Sequence, residues 1–107
     1  MGRDPVTSPV YAVFEVRING EATPEAQRSY EEYRAAVPAL IARFGGRYLV
    51  RAALPESLEG APSDGKWHLV EFPDRESALA FWACDEYREL TPLRAGAAEV
   101  RAVLLGG

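Results

Sequence analysis

The chain has too few helices to cover the strands it encodes. Val10–Ile18 alternates, with Val10, Ala12, Phe14, Val16 and Ile18 on one side and Tyr11, Val13, Glu15 and Arg17 on the other. That period of two belongs to a strand with two different environments. Arg47–Leu54, Lys66–Phe72 and Ala97–Leu105 read as three more strands. Only two helical stretches separate them. Thr23-Pro24-Glu25 opens the first, with a capping hydroxyl, a proline in the first turn and an acid at the positive end of the dipole. Tyr30, Tyr33, Val37, Leu40, Ile41 and Phe44 give it one apolar face; Pro38 predicts a kink, and Gly45-Gly46 a left-handed stop. Pro73-Asp74 caps the second helix, whose apolar face is Ala78, Leu79, Phe81 and Trp82. Asp85–Ala95 is helical but irregular near Pro92, and Pro55–Gly65 reads as a mobile surface loop or flap.

The order strand, helix, strand, strand, helix, strand is the split βαβ pattern. It predicts an α+β, ferredoxin-like βαββαβ domain over residues 10–105, with an antiparallel sheet and both helices on one face. Residues 1–9 read as a loose leader. The uncovered face carries Val13, Leu49, Trp67 and Leu69, more apolar surface than water tolerates. A second copy of the chain is the expected cover, two sheets enclosing a barrel-like space as a dimeric α/β barrel. A chain of 107 residues buries only about 60–65% of its unfolded surface, so dimerisation also adds needed burial.

The net charge of −4 argues against a partner held by phosphate contacts, so no nucleic acid is expected. No apolar run is long enough for a membrane span and no signal-peptide core is visible, so a cytoplasmic protein is expected. Cys84 is the single cysteine and His68 the single histidine, which leaves no recognised metal-ligand spacing. Gly45-Gly46 follows a helix instead of preceding one, and no glycine-rich nucleotide loop is present, so no cofactor is expected.

Strand parity groups Glu15, Arg51 and Glu71 on the face away from the helices, among apolar neighbours. One arginine holds one carboxylate well, leaving the other with a raised pKa suited to acid–base work; the same trio also serves as a structural ion pair. Trp67, Leu49 and Val13 would wall a ligand on that face. Tyr87 and Arg94 would converge at one mouth of the barrel on an anionic or carbonyl group, unless Arg94 only ties the irregular segment to the sheet. Parity places His68 under the helices, as a neutral hydrogen-bonded core residue or a base. Trp82 reads as core.

Gly45-Gly46-Arg47-Tyr48-Leu49-Val50-Arg51, Val70-Glu71-Phe72-Pro73, Ala80-Phe81-Trp82, Glu86-Tyr87 and Leu93-Arg94 occur in that order. Together, from about Tyr11 to Leu105, they resemble the family catalogued as domain of unknown function 1330, in the dimeric α/β-barrel superfamily. The resemblance implies a ferredoxin-like protomer and a homodimer, and no particular activity. The wider superfamily includes cofactor-independent monooxygenases, isomerases and lyases acting on small aromatic or polyketide-like compounds. Two classes of function follow. One is a homodimeric small-molecule-binding protein, extending to a cofactor-independent isomerase, cyclase or monooxygenase acting on an apolar carbonyl-bearing or aromatic compound. There Arg51 would neutralise an oxyanion and Glu15 or Glu71 would move the proton. The other is a non-catalytic binding or assembly module.

Overall fold

The computed structural model describes residues 8–106. Most of the expected leader, residues 1–7, lies outside them. The elements are β1 (Val10–Ile18), α1 (Pro24–Arg43), β2 (Arg47–Ala53), β3 (Lys66–Phe72), α2 (Arg75–Ala83), α3 (Asp85–Leu90), a 3₁₀ turn (Thr91–Arg94) and β4 (Ala98–Gly106). The strands form one antiparallel sheet in the order β2-β3-β1-β4, so the fold is α+β and ferredoxin-like.

Local chemistry sets the helix boundaries. Thr23 accepts the Ala26 amide at 3.1 Å, with Pro24 opening α1. At the far end Gly45 N–H bonds to Ala42 and Gly46 N–H to Ile41, both at 3.0 Å, with Gly45 at φ +83°. This paired closure of the last turn requires a left-handed residue. Gly46 is fixed by space instead, since a Cβ there would meet Ile41 and Phe72 at 2.7 Å. α1 continues through Pro38. Asp74 caps α2, accepting the Ser77 amide at 2.7 Å. The second helical region is broken at Cys84, whose extended backbone ends α2 and whose Sγ caps α3 by accepting the Tyr87 amide at 3.4 Å.

Val10, Ala12, Phe14 and Val16 of β1 are buried, and pair with Phe72, Val70, His68 and Lys66 of β3. These residues face the helices. Val37, Leu40 and Ile41 of α1, Ala78 and Phe81 of α2 and Tyr87 of α3 complete the core. Trp82 is not a core residue: it is 41% exposed at the rim, with Leu79 also exposed, because α2 is short and presents only Ala78 and Phe81 fully to the sheet. The other sheet face presents Tyr11, Val13, Trp67 and Leu69, half-buried, beside exposed Val103 and Leu105.

β2 departs from simple alternation. Arg47 pairs with Glu71 and Tyr48 with Val70, but Val50, not Leu49, is next opposite Leu69; a second shift follows before Ala53 meets Trp67. Leu49 is the extra residue of a bulge. With a side-chain period of two, one extra residue exchanges the faces of those that follow. Ala52 sits in this irregular stretch at φ +54°, and its N–H donates to Nδ1 of His68 at 3.1 Å. An L-residue there carries roughly 1–2 kcal/mol of backbone strain. Ala52→Gly should therefore be neutral or stabilising by up to about 1 kcal/mol, after the unfolded-state cost of glycine, and Ala52→Val should destabilise by about 1 kcal/mol or more. Urea denaturation measures both; a clear loss of stability in Ala52→Gly would contradict the left-handed assignment.

Candidate functional site

The side chains with chemical potential divide between the two sheet faces. On the open face Glu15 accepts from Ser63 Oγ at 2.6 Å and pairs with Arg101 at 3.5 Å. Ser63 also accepts from the Gly65 amide at 3.1 Å and from Trp67 Nε1 at 3.3 Å, so it ties the end of the 55–65 loop to the sheet. Glu71 pairs with Arg47 at 2.8 Å. Val13 lies between Leu69 and Val103 on the neighbouring strands.

Arg51 is not with them. The expected trio of Glu15, Arg51 and Glu71 does not assemble, because the Leu49 bulge sends Arg51 to the helix side. Its guanidinium lies 5.0 Å from the centre of the Tyr48 ring. Leu49 is exposed at the bulge and is not part of the depression that Trp67 lines. A depression on the open face does have Glu15 and Trp67 at its wall, with Arg17 and Arg101 rather than Arg51 as its cations.

The helix-side group surrounds a cleft between α1 and the sheet. Tyr30, Tyr33, Arg34 and Val37 project into it because they fall at i, i+3, i+4 and i+7 on α1. Tyr48 and Arg51 come from β2, His68 from β3 and Tyr87 from α3. Phe14, Ile41 and Phe81 close the floor. The space measures about 50 Å³, room for a few water molecules, and two of its lining residues, Arg34 and Arg51, are exposed to solvent.

Within the cleft the aromatic rings and hydroxyls are connected. Tyr30 stacks on Tyr33 at 6.2 Å, the Tyr33 and Tyr87 hydroxyls lie 2.8 Å apart, and Tyr48 meets His68 edge-on at 5.8 Å. Arg94 stacks on the Tyr33 ring at 5.4 Å from behind. Arg94 thus ties the 3₁₀ turn to α1 rather than to the sheet. Its Nε is buried without a hydrogen-bond partner. Burial opposes its charge, but the Tyr33 and Tyr87 hydroxyls outweigh burial and hold its pKa up. Burial raises the pKa of Tyr30, Tyr48 and, most strongly, Tyr87, so these phenols stay protonated at neutral pH.

Burial, and then the charges of Arg51, Arg34 and Lys66, hold the pKa of His68 below its usual 6.5. The imidazole is neutral at pH 7. Since Nδ1 accepts the Ala52 amide, Nε2 carries the proton. His68 is therefore a donor at Nε2 and not a free base. Among the described residues no Asp or Glu lines the cleft. Among the described residues no three His, Cys, Asp or Glu side chains are grouped as metal ligands would be.

Residues 9–107 match the family described as Domain of unknown function (DUF1330). The chain belongs to that family. No curated protein matches it by sequence. Among solved structures, a protein of unknown function from Rhodopseudomonas palustris, RPA0582, superposes with a TM-score of 0.72 at 20% identity, covering 94% of this chain and 82% of that one. A dimeric ferredoxin-like protein of unknown function from Thermobifida fusca gives 0.62 at 15% identity, covering 94% and 92%. SnoaB from Streptomyces nogalater, a cofactor-independent oxygenase, gives 0.57 at 14% identity, covering 94% of each chain. These likenesses are of fold.

Of the residues singled out in this DUF1330 sequence, His68, Tyr87 and Arg51 meet at the cleft with Arg94 behind them, while Glu15, Glu71, Trp67 and Val13 lie on the open face. Tyr30, Tyr33, Arg34 and Tyr48 also belong to the cleft. The spacing Tyr30-x-x-Tyr33-Arg34 put the first three on one helix face, but tyrosines at that spacing read equally well as core. Because the folded protein resists protonating His68, its stability is intact above about pH 6.5 and declines as pH falls from there toward the lowered native pKa. His68→Asn keeps an acceptor for the Ala52 amide and removes the titration. It should flatten this part of the stability–pH curve, measured by thermal unfolding between about pH 5 and 7; an unchanged slope would contradict the buried, neutral imidazole.

Proposed function

We propose that this DUF1330 member is a cytoplasmic homodimer that binds a small molecule in the cleft between α1 and the sheet. The observation that carries this reading is the convergence of His68, Tyr30, Tyr33, Tyr48, Arg34 and Arg51 on one partly apolar cavity. A few polar groups set in an apolar lining is the usual composition of a small-ligand site. The groups are donors: the His68 Nε2–H, the phenols and two guanidiniums. Donors aimed at one point polarise a carbonyl or hold an oxyanion, the part a cofactor-independent isomerase, cyclase or monooxygenase needs from its protein. The donors of the described lining suit binding and oxyanion stabilisation rather than proton abstraction by the protein.

The second copy covers the open face. Val13, Leu69 and Trp67 lie at its centre, flanked by exposed Val103 and Leu105, and its charges are already paired as Glu15–Arg101 and Glu71–Arg47. Such a face fits an apolar interface with neutralised ionic groups better than it fits water. The ferredoxin-like protein from Thermobifida fusca is dimeric, which supports the same assembly. Sedimentation equilibrium should give twice the 11.8 kDa chain mass, and Leu69→Arg should return it to the monomer. In crystals of the dimer soaked with aromatic fragments, density should fall between α1 and the sheet. A monomeric wild type, or fragments confined to the open face, would refute the corresponding half of the proposal.

A further inference from the structure

The charge of the cleft is opposite to that of the chain. Acidic residues outnumber basic ones sixteen to twelve over the whole sequence. Around the cleft, three guanidiniums each lie against a tyrosine ring: Arg51 on Tyr48 at 5.0 Å, Arg94 on Tyr33 at 5.4 Å and Arg34 on Tyr30 at 5.7 Å. Arg34 has a carboxylate partner, Glu31 at 3.2 Å on the outer surface of α1. Arg51 and Arg94 have none among the described residues. The six ion pairs of those residues all lie elsewhere or, for Arg34–Glu31, at the rim. Arg94 stands behind the cleft, against the Tyr33 and Tyr87 hydroxyls, whereas Arg51 lines it and, with no counter-ion, retains its fork of donors for an incoming group.

We propose that the ligand of this cleft is a small organic anion, a carboxylate or enolate carried on a planar apolar body. This rests on the reading of the cleft as a ligand site. The anionic group fits the narrow inner space, toward Arg51 and the Nε2–H of His68. The planar body takes the places on Tyr30 and Tyr48 that the long, exposed Arg34 and Arg51 side chains cover. A cation has no carboxylate to meet there, and a neutral ligand leaves the Arg51 charge uncompensated. The groups around His68 are consistent with this. Arg51 from β2, Arg34 from α1 and Lys66 from its own strand all oppose its protonation, and no acid opposes them. A bound anion supplies the missing negative charge.

Benzoate, benzamide and benzamidine are near-isosteres of charge −1, 0 and +1 and test this directly. His68 is the single histidine, so its imidazole signals in NMR spectra of the full-length wild-type protein are assigned without mutants. Benzoate should shift these signals saturably, with a Kd at least about tenfold below that of benzamide, and benzamidine should not bind. The His68 pKa should rise when benzoate is bound. In Arg51→Met the preference for benzoate over benzamide should collapse, in Arg51→Lys it should be partly kept, and Arg75→Met at the exposed start of α2, outside the cleft, should leave it unchanged. Benzamide or benzamidine binding as tightly as benzoate would overturn the anion assignment while leaving the cleft as the site. Failure of all three to move the His68 signals would overturn the site with it.

Discussion

One hydrogen bond organises the functional side of this molecule: the Ala52 N–H to Nδ1 of His68, at 3.1 Å. It joins a left-handed residue in an irregular stretch of β2 to the one histidine of β3. With Nδ1 used by the backbone, the imidazole proton resides on Nε2. With the bulge in place, Arg51 lies beside Tyr48 on the helix side instead of beside Glu15 and Glu71. The strain at Ala52 and the partly buried imidazole are each unfavourable alone. Together they satisfy one another's polar groups, since an amide and a ring nitrogen withdrawn even partly from water both need a partner.

The sheet thereby separates two tasks. Its open face neutralises its own charges, with Ser63 joining Glu15, Trp67 and the end of the 55–65 loop, and Arg47 matched to Glu71. That arrangement suits a surface to be covered by protein, where an unpaired charge is costly. The helix face leaves Arg51 and Arg94 without a carboxylate partner among the described residues, which suits a surface to be completed by a ligand. The Tyr33–Tyr87 hydroxyl pair and Arg94 brace the cleft from behind, linking α1 to α3 and the 3₁₀ turn.

What was legible in the sequence was local. The Thr23 and Asp74 caps, the Gly45-Gly46 stop and the alternation of β1 and β3 each depend on neighbours within a few residues, and the element order followed from them. The face of Arg51 was not legible, because it depends on a bulge whose hydrogen-bond partner lies sixteen residues away at His68. Trp82 misled for a related reason: periodicity gives a helix face its direction but not its depth, and α2 ends too soon to bury it. The tyrosines of α1 were visible as a face, yet their role depends on Arg94, which reaches Tyr33 from the 3₁₀ turn, and on Tyr48, Arg51 and His68, which the sheet brings opposite them. Cys84 was visible only as the single cysteine; its use as a cap between α2 and α3 depends on the backbone turning there.

The account stands on the bonding of His68, and the long-range ¹H–¹⁵N spectrum of the imidazole reads that bonding in one experiment. At pH 7 it should show a single neutral tautomer with the proton on Nε2 and an unprotonated, hydrogen-bonded Nδ1. A proton on Nδ1, or a charged ring at that pH, would mean that Ala52 does not donate to it. The placement of Arg51 and the donor character of the cleft would then lose their basis.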